Sequence, residues 1–218
     1  MLKNILKLNE PIWGEKIMIA MNDLVSKNYI LSKLVPFTAD IFVFTYPVYL
    51  TVLYLYGTYR KNVDFKNGAL YIFFSAAGST AFNLFVQYFI DKSRPELAIT
   101  NKNNLILEHL PTKPFPSDHA AVSAAVAMST LLWGIKTKNK NLVRLSIVFW
   151  IFSIVMSLSR VSTGVHWLTD VIAGSLVGII FSFIFINNII YSFLSKKVFV
   201  HIINLEKYLF DKIFQIKQ

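Results

Sequence analysis

Ser159-Arg160-Val161-Ser162-Thr163-Gly164-Val165-His166-Trp167-Leu168-Thr169-Asp170 sets a guanidinium, an imidazole and a carboxylate between two apolar runs, Leu145–Ser159 and Val171–Ser195. Runs of that kind cross a bilayer as helices, so the polar stretch reads as the turn between two spans. Ionisable groups so close to membrane-grade sequence are costly and are kept where they act. His166 and Asp170 are four apart, which on a helix places them on one face. A carboxylate there accepts the proton of one imidazole nitrogen and leaves the other as base, nucleophile or ligand. Gly164 allows a sharp turn between Arg160 and His166. Taken alone, the stretch fits equally well an interfacial histidine with Arg160 and Asp170 capping neighbouring helices.

Outward from this turn, the chain contains three further uncharged stretches: Ile41–Tyr59, Asn67–Ile90 and Ala120–Ile135. A spanning helix needs roughly 17–25 residues. Ala120–Ile135 and Leu145–Ser159 reach that length if Ser117-Asp118-His119 leads into the first and Arg160 closes the second. The expected fold is therefore all-α: one polytopic membrane bundle of about five transmembrane helices spanning residues 1–218 as a single domain. Mean hydropathy of +0.51 and only 16% charged residues agree with it. Residues 14–34 and 198–216 carry apolar residues at helical spacing among charges (Ile17, Met21, Leu24, Leu31; Ile202, Leu205, Leu209, Ile213, Ile216). They read as interfacial amphipathic helices; the first reads equally as a helix packed across one end of the bundle.

The net charge of +10 invites a nucleic-acid partner. The cations, however, sit in short loops beside apolar spans, where they set topology and meet anionic lipid. Arg60, Lys61, Lys66, Lys136, Lys138, Lys140, Arg144, Lys196 and Lys197 share one side, opposed only by Asp64. On the other side cations are offset by Asp91, Glu96, Glu108, Asp118 and Asp170. The first side is expected to be cytoplasmic, so the polar turn faces the periplasm or cell exterior. Met1–Lys7 lacks the continuous apolar core of a cleaved signal. The chain has no cysteine, which excludes disulfides, thiolate catalysis and cysteine-bound metals.

Two other clusters carry chemistry. Gln87-Tyr88-Phe89-Ile90-Asp91-Lys92-Ser93-Arg94-Pro95 ends the second span, with Arg94 able to fork onto phosphate oxygens and Pro95 stopping the helix. Phe115-Pro116-Ser117-Asp118-His119-Ala120 opens the third span, where free N–H groups bind anions and His119 can protonate a leaving oxygen. Locally, these clusters also fit a snorkelling arginine and a plain helix cap. Together with the opening turn they supply two arginines, two histidines, a serine and a carboxylate on one side of the bilayer. A metal held by two His and two Asp is the obvious rival. No metal or cofactor is expected, because both histidine clusters bring phosphate-type donors and lack the two-histidine helical zinc spacing.

The order R-P, P-S-x-H, S-R-x5-H-x3-D, matched by Arg94-Pro95, Pro116-Ser117-Asp118-His119 and Ser159-Arg160…His166…Asp170, resembles the type 2 phosphatidic acid phosphatase (lipid phosphate phosphatase) family. The resemblance covers residues 87–170 and implies a metal-independent lipid phosphatase. His166 would attack phosphorus, oriented by Asp170, and His119 would protonate the leaving oxygen. Arg94, Arg160 and Ser117 would hold the phosphoryl oxygens. Two positions depart from the family pattern. Gln87 stands where the family has Lys, so Lys92 becomes a candidate replacement on the phosphate. Asp118 stands where the family has Gly, and there it would contact a cation or point away from the phosphoryl group. The P-S-D-H form resembles the bacterial undecaprenyl-diphosphate phosphatases of the bacitracin-resistance type. That implies a bacterial inner or plasma membrane and a polyprenyl diphosphate substrate. Lipid A, phosphatidylglycerol phosphate and phosphatidic acid are alternative substrates, and Gln87 is the one feature favouring a non-catalytic transporter or scaffold.

Overall fold

The computed structural model describes residues 6–95 and 113–215, with side chains to residue 212. Residues 1–5 of the stretch read for a signal, Glu96 and Glu108 of the long loop, the Ile213 side chain and Ile216 lie outside the description. Five long helices form the bundle: α2 (Tyr29–Tyr59), α3 (Val63–Phe89), α4 (Asp118–Lys136), α5 (Lys140–Ser162) and α6 (Leu168–Ile186). They follow α1 (Ile12–Ser26), and the chain closes with α7 (Asn188–Leu194), one π-helical turn (Ser195–Phe199) and α8 (Val200–Gln215). Two short strands, β1 (Leu6–Lys7) and β2 (Ile90–Asp91), pair in parallel.

Four of these helices, α2, α3, α5 and α6, are long and apolar enough to cross a membrane. The fifth expected span, α4, is not among them. Asp118, His119, Ser123, Ser129 and Thr130 lower its hydropathy, and it needs no lipid-facing surface. It packs against α3, α5 and α6 and buries Ala120, Ala121, Ala124, Ala125, Val126 and Ala127. At 19 residues it still extends about 28 Å, close to the hydrocarbon thickness.

Small side chains set how closely α4 and α6 approach. A methyl group on Gly174 would collide with the Ser117 carbonyl oxygen, and one on Gly178 with the Ala121 carbonyl oxygen and, at 2.8 Å, the Ala125 nitrogen. One turn further, Ser182 Oγ donates to the carbonyls of Gly178 (2.9 Å) and Ala125 (3.2 Å). Such a stripe lets two backbones touch where hydrophobic exclusion of water offers little force. It carries the N-terminus of α4 directly alongside that of α6.

The ends of the elements differ from the sequence reading. Residues 14–34 are two helices, because Asn28 begins a new one and accepts from the Leu31 N–H at 3.0 Å. The buried face of α1 is Gly14, Met18, Asn22 and Val25, whereas Ile17 and Leu24 are exposed. Helix α1 therefore packs across the bundle end: Met18 joins Ala120, Val161, Trp167 and Val171, and Asn22 Nδ2 donates to the Ser162 carbonyl at 2.8 Å. The last span stops at Ile186 rather than Ser195, since the Asn187 side chain accepts from Ile189 N–H and starts α7. Leu205, Leu209 and Phe210 of α8 are exposed.

Candidate active site

Helix α5 winds down after Arg160. Thr163 Oγ1 donates to the Ser159 carbonyl at 2.9 Å, and Gly164 turns the chain at φ 78°, a left-handed value that favours glycine. The His166 N–H returns to the Arg160 carbonyl at 3.3 Å. His166 thus precedes helix α6 instead of lying on it. Its four-residue spacing to Asp170 still works across the helix cap: Asp170 Oδ2 accepts the Trp167 N–H at 2.9 Å and lies 3.5 Å from His166 Nδ1. Both side chains are buried. With Nδ1 facing the carboxylate, Nε2 is the nitrogen left for chemistry.

The other two clusters converge on this turn. Arg94, 4% exposed, donates through one terminal nitrogen to the Val165 carbonyl at 2.7 Å, beside His166. Arg160 is fully buried and lies within electrostatic range of Arg94, Asp40 and Asp118. Two buried guanidiniums so placed demand a counter-charge. The Ser117 N–H donates to the Asp170 carbonyl at 3.0 Å, tying the start of α4 to the start of α6. Ser117 occupies the cap position of α4, but its hydroxyl caps nothing. It is buried, with no hydrogen-bond partner among the described residues. His119 in the first turn is half-buried, with Nε2 3.4 Å from Asp40 Oδ1.

Lys92, Asp118 and Gln87 are all committed to partners within the protein. The Lys92 ammonium donates to Asp170 Oδ1 (2.6 Å), Glu10 Oε2 (2.7 Å) and Thr169 Oγ1 (2.6 Å), which uses all three of its protons. Asp118 turns toward α3, where Asn83 Nδ2 donates to Oδ1 at 3.0 Å and Gln87 Nε2 reaches both oxygens at 3.3 and 3.4 Å. Gln87 also donates to the Pro116 carbonyl at 3.1 Å. The two departures from the family pattern are therefore one feature. The amides of Gln87 and Asn83 hold the Asp118 carboxylate.

Asp40, Glu10, Thr169 and Asn83 were not picked out by the sequence reading. Asp40, on α2, pairs with Arg160 through a short hydrogen bond and approaches His119. Its signal was present, because a lone carboxylate inside a membrane-length helix is a functional candidate by default. Glu10 had no local signal. Among the described residues no group of three or more His, Asp or Glu is placed to hold a metal ion.

A family model described as the PAP2 superfamily matches residues 68–194. The chain is similar to undecaprenyl-diphosphatase BcrC of Bacillus subtilis, with 24% identity over 169 residues, 76% of this chain and 79% of that protein. It is 28% identical over 137 residues to the putative undecaprenyl-diphosphatase YbjG of Escherichia coli, covering 62% of this chain and 61% of that one. Among solved structures, it superposes on the first transmembrane PAP2-type phosphatidylglycerolphosphate phosphatase from Bacillus subtilis. The TM-score there is 0.62 at 20% identity, over 86% of this chain and 89% of that one. Aquifex aeolicus LpxE matches with a TM-score of 0.56 at 18% identity, over 82% and 98%. The two superpositions speak for the fold.

Proposed function

The chain belongs to the PAP2 superfamily and is a membrane lipid phosphatase, and we propose that it hydrolyses undecaprenyl diphosphate to the monophosphate through a phosphohistidine. The observation carrying the mechanism is the convergence on His166: Asp170 on its Nδ1 side, two buried arginines beside it, and the buried hydroxyl of Ser117, which has no partner among the described residues. The substrate rests on the P-S-D-H form of the second motif, with Asp118 held by Gln87, and on the names of the two relatives.

In the proposed reaction, His166 Nε2 attacks the terminal phosphorus while Arg94, Arg160 and Ser117 Oγ stabilise the oxygens that gain charge. The bond to the bridging oxygen breaks, and His119 delivers a proton to the departing lipid monophosphate. Asp170 holds the Nδ1 proton, so the imidazole becomes cationic next to a carboxylate when the N–P bond forms. Water then attacks the phosphohistidine and gives its proton to His119. The N–P bond breaks, and inorganic phosphate and free His166 result. No step draws on a metal. The site end of the bundle faces the cell exterior or periplasm, a placement supported by the cations gathered at the opposite end.

The test is phosphate release by the purified protein and its His166→Ala variant in EDTA, on undecaprenyl diphosphate, phosphatidylglycerol phosphate, lipid A and phosphatidic acid. Preference for the diphosphate, lost in the variant and blocked by vanadate, is the expected result. Preference for phosphatidylglycerol phosphate would keep the mechanism and replace the substrate. Activity that EDTA abolishes and zinc restores would overturn the metal-free route.

A further inference from the structure

The N-terminal segment lies outside every motif, yet it reaches the centre of the site. Strand β1 pairs with β2 in the register Leu6↔Ile90 and Lys7↔Asp91, and the Leu8 N–H donates to the Asp91 carbonyl at 2.9 Å. That pairing sets Glu10 against Lys92. Glu10 Oε2 accepts from the Lys92 ammonium at 2.7 Å and from the Thr169 hydroxyl. The side chains of Glu10, Lys92 and Asp170 are 3%, 4% and 0% exposed, so water screens none of them.

Each oxygen of Asp170 then has a separate duty. Oδ1 is held by Lys92, and Oδ2 accepts the Trp167 N–H and faces His166 Nδ1 at 3.5 Å. If Lys92 faced Asp170 alone, its charge would cancel the carboxylate, and little would remain to balance a cationic imidazole. Glu10 restores the missing negative charge: two carboxylates and one ammonium leave a net −1 behind His166. The seat of Glu10 is built for this. Oε1 rests on Gly14 of α1, where any side chain would displace it; a methyl group there would also come within 2.9 Å of Glu10 Cδ.

We propose that Glu10, acting through Lys92, is a positioning residue for the Asp170–His166 pair, so that the N-terminal segment belongs to the catalytic centre. The proposal rests on His166 being the nucleophile. Its structural premise, that Glu10 sets the state of the His166 ring, is separable from substrate turnover.

The experiment compares Glu10→Gln, Gly14→Ala and, as a control, the exposed Glu15→Gln. The second variant leaves all charges in place and only displaces the Glu10 carboxylate; alanine suits a helix better than glycine. Kinetics on undecaprenyl diphosphate are paired with 15N spectra of histidine-labelled protein, which holds four histidines, the His166 signal being assigned by its loss in His166→Gln. In both Glu10→Gln and Gly14→Ala, kcat should fall by about 10–100-fold with KM within about twofold, the scale on which partners of a working histidine act. The Nδ1 resonance of His166 should move while that of His201 stays. Glu10→Gln should add nothing to the loss in Asp170→Asn. An unmoved His166 resonance, or a kcat unchanged in both variants, would overturn the proposal. So would equal losses from Glu15→Gln, or losses that only follow a lowered melting temperature. If wild type releases phosphate from none of the lipids, the function proposed above falls, and the spectra alone decide the role of Glu10.

Discussion

The two ends of the bundle handle charge in opposite ways. At the site end, the side chains of Arg94, Arg160, Lys92, Glu10 and Asp170 are all buried, and each is held by a hydrogen bond to a distant part of the chain. At the far end the cations rest on aromatic faces and on the surface. Lys136 lies 3.8 Å from the Tyr191 ring centroid, Trp133 Nε1 donates to the Asp64 carbonyl at 3.1 Å, and Gly68 makes room for the indole. The Lys66–Glu206 pair, 2.6 Å apart, fastens α8 there while keeping contact with water. Burying ions costs several kcal/mol each, roughly, and a well-packed apolar core would do as well or better for stability. The far end follows that economy and the site end does not. The proposed mechanism gives the buried charges a use that stability does not.

That contrast is open to attack from its strongest point downward. His166→Ala removes the proposed nucleophile and should lower kcat by about 10⁴-fold or more, measured as phosphate release from protein with an unchanged melting temperature. His119→Ala should cost roughly 10²–10⁴-fold, the range of one proton-transfer group. Its loss should shrink for a substrate analogue whose leaving group needs no proton. Gly178→Val wedges a side chain between α4 and α6, and overpacking of this kind costs about 1–3 kcal/mol. Because the same contact aligns Ser117 with Asp170, activity should fall together with the melting temperature. At the far end, Glu206→Gln should change stability by about 1 kcal/mol or less and leave kcat within error. A large kinetic loss from Glu206→Gln, or a small one from His166→Ala, would erase the distinction between the two ends.

Much of the site end was legible because its residue types are so out of place. Arg160, His166 and Asp170 between apolar runs, and Ser117 and His119 at the mouth of a third, announce themselves one motif at a time. The partners were harder to read for identifiable reasons. Lys92 sits two residues from Arg94, which made it look like a phosphate ligand. What diverts it is Glu10, 82 residues away, delivered by a two-residue strand pairing that has no pattern in sequence. Asp40 was lost at a boundary, because an uncharged run begins at Ile41 whereas the helix begins at Tyr29. The departure of α4 from the spanning helices was legible but passed over. Counting Ala120–Ile135 as uncharged left out the polar first turn and the Ser and Thr residues that lower the helix's hydropathy.

The contact of Asp40 with both Arg160 and His119 has a consequence for what the site ignores. A phosphatase lying in a bilayer is bathed in phosphodiester headgroups, each with a single negative charge and present in vast excess over any substrate. Arg160 meets them already occupied by a carboxylate of equal charge, so a diester gains nothing by exchanging places with it. In the proposed reaction a terminal phosphate with two charges does gain, because it would satisfy both guanidiniums at once. On that mechanism the protein's own anion sets the threshold that a visitor must exceed, and the surrounding membrane falls below it.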